Sequence, residues 1–298
     1  MQSRLFAVGR LVLVLVLVAL GVPALAERQS VALGARSYLI DLPDQPTGAA
    51  IIALHGAGGN PAQFATQTGL SDAALAQGYA VIYPAGSGTK RKKSGALLTW
   101  NAGNCCGEAA QSGSDDVGFL DAVAADATRR FALDRLYVTG VSNGAMMAER
   151  FASAGRTPVR AVAGVAGTMD LVTNPPPRPV PLLVIHGTAD DHVIYAGGPG
   201  GSGYEDVTFT GVARLVAVWR AAFAGPLTEK TSVIDPADDG MRTVLTDLVD
   251  PSGAVPLRLL TVEGGGHTWP GGQRAAGQAN TRDISATAEI LKFFALWP

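Results

Sequence analysis

An α/β fold, with a mostly parallel central sheet and helices on both faces, is predicted by three features of this sequence. Short apolar runs such as residues 49–54 are unbroken by polar residues, as strands buried on both faces are. These runs alternate along the chain with longer stretches of helical period, the pattern of strands joined by crossover helices. Two of the runs end alike, in Leu54-His55-Gly56 and Ile185-His186-Gly187, a strand end opening into a tight turn.

Residues 1–26 read as a secretory signal. Arg4 and Arg10 supply positive charge, Leu11 to Val22 carries none, and Ala24-Leu25-Ala26 offers a small-residue cleavage site. A membrane anchor is the rival reading, but 12 apolar residues fall short of the roughly 20 that a spanning helix needs. No cysteine near that point supports a lipid anchor. Cleavage after Ala26 leaves residues 27–298 as one catalytic-size α/β domain, secreted to the periplasm or beyond and free of the membrane.

The first predicted strand is Ser37–Leu42, an edge strand with Tyr38, Ile40 and Leu42 on one face. Residues 49–54, 80–83, 135–139, 161–165, 181–185 and 257–262 are the further strand candidates. Helices are expected at about 61–78, 115–132, 144–154, 207–223 and 283–297. In the second of these, Val117, Leu120, Val123 and Ala124 recur at three- and four-residue spacing, so one face is apolar and packs on the sheet. Pro175-Pro176-Pro177 and the glycine-rich 197–203 segment are loops by composition. No repeat of period 20–50 is present.

Without the signal, 21 basic side chains face 25 acidic ones, a formal charge of −4. That balance excludes a nucleic-acid partner, which needs a basic footprint. The one basic run, Lys90-Arg91-Lys92-Lys93, is read as a solvated loop, with an anionic-ligand site as the alternative. The 37 glycines gather at 56–59, 197–203 and 264–272, and the first and last clusters flank histidines.

The strongest chemical signal is Gly140-Val141-Ser142-Asn143-Gly144, between the strand at 135–139 and the next helix. A sharp strand-to-helix turn lifts a serine hydroxyl clear of the sheet, and its small neighbours avoid backbone clashes. A serine hydroxyl needs a base within hydrogen-bond reach. The four histidines are His55, His186, His192 and His267. Chain order of nucleophile, acid and base, together with its glycine-rich loop after a strand, selects His267. His55 lies at a strand end followed by small residues, so it is read as structural. The backbone N–H groups of Ala57 and Asn143 are expected to form the oxyanion hole.

The ordered set Leu54-His55-Gly56, Trp100-Asn101-Ala102-Gly103, Cys105-Cys106-Gly107, Asp115-Asp116-Val117-Gly118-Phe119, Gly140 to Gly144, His186-Gly187-Thr188-Ala189-Asp190 and Gly266 to Gly272 resembles the secreted esterase family of polyhydroxybutyrate depolymerases and feruloyl esterases. The resemblance implies an α/β-hydrolase fold, hydrolysis of carboxylic esters such as hydroxybutyrate oligomers or feruloyl esters through an acyl-enzyme, and no cofactor or metal. It places the triad acid at Asp190, although Asp191 stands where the family often has proline and is the competing candidate. It also assigns Trp100, Trp269 and the cysteine pair to the substrate pocket. The chain stops at Pro298, without the surface-binding domain that depolymerases acting on solid polymer often append, so soluble or oligomeric esters are the expected substrates. A peptidase on the same fold and a non-catalytic binding protein are the other readings. Cys105 and Cys106 form either a vicinal disulfide, strained across a trans peptide, or two buried thiols.

Overall fold

The computed structural model describes residues 28–88, 90–91, 95–203, 206–273 and 280–298. The signal segment lies outside them, as do Lys92 and Lys93. An antiparallel hairpin, β1 (Gln29–Leu33) and β2 (Arg36–Asp41), comes first. Next are β3 (Ala49–Leu54), α1 (Pro61–Thr68), α2 (Leu70–Leu75) and β4 (Ala80–Pro84). The short strands β5 (Lys90–Arg91) and β6 (Gly95–Ala96) and the short α3 (Gly107–Gln111) lead to α4 (Asp116–Phe131). Then come β7 (Arg135–Val141), α5 (Asn143–Ala154), β8 (Val162–Val165) and β9 (Leu182–Gly187). A small pair, β10 (Gly198–Pro199) and β11 (Thr208–Phe209), precedes α6 (Val212–Arg220). β12 (Thr228–Ile234), β13 (Arg242–Val249), β14 (Leu257–Glu263) and α7 (Ala286–Phe294) follow.

Ten strands make one sheet in the order β1-β2-β4-β3-β7-β8-β9-β14-β13-β12. From β4 to β14 every pairing is parallel, and antiparallel strands extend both edges. β3 shows why the runs are apolar throughout. Ala50, Ile52 and Leu54 enter one core layer, while Ala49, Ile51 and Ala53 enter the other, as period-two alternation requires of a strand covered on both faces. Leu120 and Val123 of α4, Met147 and Phe151 of α5, and Leu215 and Trp219 of α6 fill the first layer. Phe64 of α1, Leu70 and Ala74 of α2, and Ile290, Phe293 and Phe294 of α7 fill the second.

The sequence and the structure differ at the edges. The helix expected over 61–78 is two helices, because Gly69 at φ 58° ends α1 and starts α2. The strand expected at 37–42 is covered by β1, so it is not the edge. The helix expected from 207 starts at Val212. β12 and β13 were not anticipated: Thr-Glu-Lys-Thr-Ser at the start of β12 is exposed on both faces, and a strand with no buried face leaves no hydrophobic alternation to read. Among the described residues, no helix is long and apolar enough to cross a membrane.

Candidate active site

The carboxyl ends of β3, β7, β9 and β14 open into the loops that carry His55, Ser142, Asp190 and His267. Ligand sites of open α/β sheets lie at that end. Ser142 sits between β7 and α5 at φ 56°, ψ −125°, a conformation that costs energy in a non-glycine residue and is found at functional turns. Its amide donates to Val165 O at 2.8 Å, and its carbonyl accepts from Ala145 and Met146. The motif glycines are needed for contact. A Cβ on Gly144 would strike the carbonyls of Leu54 and His55, and one on Gly140 would strike the Gly144 backbone.

Asp190 and His267 arrive on two loops knitted together. Thr188 N donates to Val262 O and Ala189 N to Gly265 O, both at 2.9 Å, while Gly264 N donates to Thr188 Oγ1. A Cβ on Gly187 would collide with the Gly265 carbonyl, so the approach depends on glycine there. Across this junction Asp190 Oδ2 accepts from His267 Nδ1 at 2.8 Å. Asp190 Oδ1 accepts from the amides of His192 and Val193, each at 2.9 Å. His186 Nε2 lies 2.8 Å from Val193 O and 3.2 Å from Asp190 Oδ2. Burial alone would raise the Asp190 carboxyl, but the bonds from His186 and His267 outweigh it and hold the group below the usual carboxylate range. Asp191 points away, 69% exposed and paired with His192 Nδ1 at 2.7 Å. The structure therefore joins Asp190, not Asp191, to His267.

Ser142 and His267 line one cleft of about 340 Å³, together with the 56–59 turn, Gln63, Phe64, Gln67 and His192. No direct hydrogen bond joins the two side chains, a looseness common in unliganded sites. A larger concavity of about 700 Å³ lies against Asp235, Met241 and Glu263 but contains no nucleophile and base, so chemistry and not size marks the site. Ala57 lies at the cleft wall and Asn143 is the first residue of α5, where N–H groups have no partner within the helix.

Asn143 has a second task. Its side chain accepts from Trp100 N at 2.7 Å and donates to Trp100 O at 3.0 Å, and the Trp100 indole donates to His55 O at 2.9 Å. His55 donates from Nδ1 to Gly56 O and accepts at Nε2 from Gly86 N. Burial pushes its pKa down to about 4, so it is a neutral structural histidine, as its sequence context predicts.

Two expectations are corrected. Trp100 is completely buried and Trp269 is 7% exposed, and neither lines the cleft. Trp100 braces the turn after β3 from behind. Trp269 packs edge-on against Phe64 at 5.4 Å and bonds Thr287 Oγ1, which anchors the His267 loop to α1 and α7. An indole whose N–H finds a buried acceptor is drawn into the core. Cys105 and Cys106, also buried, are bonded to each other across a cis peptide, not the trans peptide assumed from sequence.

The cleft side chains that were not singled out from sequence include His192, Gln63 and Gln67. His192 stacks on His267, with centroids 4.7 Å apart and planes at 15°; its position two residues after Asp190 was the available signal. Gln63 and Gln67 are four residues apart on one face of α1. Among the described residues, ligand-type atoms of Asp190, His192 and His267 lie within 4.8 Å of one another.

Residues 37–172 match the family model described as esterase PHB depolymerase. The chain is 30% identical over 236 residues to NocK from Nocardia uniformis subsp. tsuyamanensis, a protein described as an esterase. That alignment takes in 74% of this chain and 65% of the relative, so the chain spans about two thirds of its relative's length. Acetyl xylan esterase from Aspergillus awamori superposes with a TM-score of 0.57 at 16% identity, over 91% of this chain and 99% of that one. TT1662 from Thermus thermophilus gives 0.53 at 20%, over 91% and 97%. At these identities the likeness establishes the fold, an α/β-hydrolase fold with a mostly parallel sheet.

Proposed function

We propose, from the match of residues 37–172 to the esterase PHB depolymerase family model, that this protein is a serine hydrolase of carboxylic esters, with Ser142 as nucleophile, His267 as base and Asp190 as the acid that orients it. The observation that carries the reading is the 2.8 Å bond from His267 Nδ1 to the buried Asp190, in the cleft that also holds Ser142. With Nδ1–H donating to Asp190, the lone pair is on Nε2, the tautomer a general base needs.

In this reading Ser142 Oγ attacks the ester carbonyl as His267 Nε2 takes its proton. The N–H groups of Ala57 and Asn143 hold the oxyanion. His267 then protonates the leaving alkoxide, and the acyl-enzyme is hydrolysed by water activated at the same Nε2. Asp190 stays ionised throughout and steadies the imidazolium.

The substrates proposed are soluble or oligomeric esters, either hydroxybutyrate oligomers or feruloyl esters. Export is part of the proposal: the 1–26 signal and the Cys105–Cys106 disulfide both suit an oxidising compartment. A panel of methyl ferulate, hydroxybutyrate trimer, polyhydroxybutyrate film and peptide amides tests the reading. Turnover of a soluble ester with none of the amides is expected. Amide cleavage at a comparable rate would make the protein a peptidase, and no turnover of any member would favour a binding protein.

A further inference from the structure

The two His-Gly strand ends, alike in sequence, are wired in opposite senses. His55 donates from Nδ1 and accepts at Nε2, whereas His186 has oxygens at its Nε2, Val193 O at 2.8 Å and Asp190 Oδ2 at 3.2 Å. Its Nδ1 is buried without a hydrogen-bond partner. A carbonyl and an ionised carboxylate can only accept, so the proton of His186 is on Nε2. We infer that His186 is a positioning residue of the catalytic site, a role that rests on the triad proposed above. Its Nε2–H ties the acid Asp190 to the backbone of Val193 and so fixes the direction from which Asp190 meets His267.

The two oxygens of Asp190 are held differently. The amides of His192 and Val193 both end on Oδ1, and with these alone the carboxylate can swing about that oxygen. His186 grips Oδ2, the oxygen that His267 Nδ1 uses. Val193 closes the ring of bonds, since its N–H donates to Asp190 Oδ1 while its carbonyl faces His186 Nε2. The anchor is rigid. His186 lies in β9, in register with Thr261 of β14, and its ring meets that of Tyr195 edge-on, 5.7 Å between centroids. Tyr195 is itself tied to Thr261 through their hydroxyls at 2.9 Å. Packing alone does not account for a histidine here. A buried polar atom with no partner is unfavourable, so a carbon ring would fill the space better unless the Nε2–H were needed. His186 does not line the cleft, so its loss should fall on kcat and leave KM alone.

Two variants separate positioning from packing. His186→Phe keeps a ring but has no donor, whereas His186→Gln loses the ring and keeps an N–H at a similar reach. With one soluble ester, His186→Phe should lower kcat by about 10- to 100-fold, as small misplacements of a catalytic group do, and His186→Gln should stay within about threefold of wild type. A packing role predicts the reverse order. Proton–nitrogen NMR of the full chain, isotope-labelled at histidine, reads the bridge without any substrate. Wild type should show His186 protonated at Nε2 and bare at Nδ1, the signal being assigned by its absence from His186→Gln. The His267 Nδ1–H resonance should move in His186→Phe and stay near its wild-type position in His186→Gln. A proton on His186 Nδ1 would overturn the inference, and the wild-type spectrum decides this even where His186→Phe does not fold. So would wild-type kcat in folded His186→Phe, an unmoved His267 resonance in that variant, or His186→Gln no more active than His186→Phe. Should wild type hydrolyse no ester, the proposed function fails while the spectra still decide the bridge.

Discussion

The carboxylate of Asp190 accepts a 2.8 Å hydrogen bond from His267 Nδ1, while its other oxygen is held by the backbone amides of His192 and Val193. The Asp190 carboxylate is therefore fixed by its own loop as well as bonded to His267. Asp190→Asn should lower kcat by at least about 10²-fold, because an amide can face the imidazole with a donor and reverse its tautomer. Asp191→Asn should cost less than about fivefold, since exposed ion pairs contribute little. Steady-state kinetics of the two variants with one soluble ester decide it, and the reverse order would make Asp191 the acid.

Asn143 clamps the backbone of Trp100 through both ends of its amide in a fully buried position. Asn143→Ala leaves Trp100 N unpaired and removes one of three donors from Trp100 O, which keeps Ala102 N and Cys106 N, so the variant should lose roughly 1–3 kcal/mol. Urea unfolding reads this as a lower midpoint at unchanged slope. An unaltered midpoint would mean that the clamp contributes nothing to the fold.

Glu149 of α5 is completely buried, and neither carboxyl oxygen has a hydrogen-bond partner. Burial pushes its pKa well above the ordinary value, with the Met169 backbone opposing. At neutral pH the folded state keeps a proton that the unfolded state releases, so this group's contribution to stability falls as pH rises from the unfolded carboxyl's value towards the folded one. Glu149→Gln should therefore raise Tm more at about pH 8 than at about pH 5. Thermal unfolding at both values checks the sign; a gain confined to the acid side would contradict it.

Cys105 and Cys106 are bonded to each other within a turn whose amides bond back to Trp100 and whose carbonyls accept in return, Cys106 N to Trp100 O and Ala102 N to Cys105 O. Thiol titration of denatured, unreduced protein should find no free thiol, and two after reduction. Two thiols before reduction would refute the bond.

The parallel centre of the sheet was legible because strands covered on both faces must be apolar at every position, as β3 is. The candidate residues Ser142 and His267 were legible because their signals are local: a serine between glycines after a strand, and a histidine after a glycine run. The polar β12 left no such trace. The two tryptophans were misread for a related reason. A sequence shows that an indole stands beside a site but not which way it faces, and the Trp100 indole faces the core, where His55 O accepts from its N–H. The His192–His267 stack was also hidden, because it depends on two loops that meet only in three dimensions.

The claim on which the account rests is that Ser142, held at φ 56° beside His267, is an activated nucleophile. Intact-mass spectrometry after exposure to a fluorophosphonate measures this directly, without a known substrate. The account predicts one adduct per chain, mapped to the peptide that contains Ser142, absent from Ser142→Ala and formed far more slowly by His267→Ala. An unmodified wild-type chain, or an adduct on another residue that survives in Ser142→Ala, would contradict it.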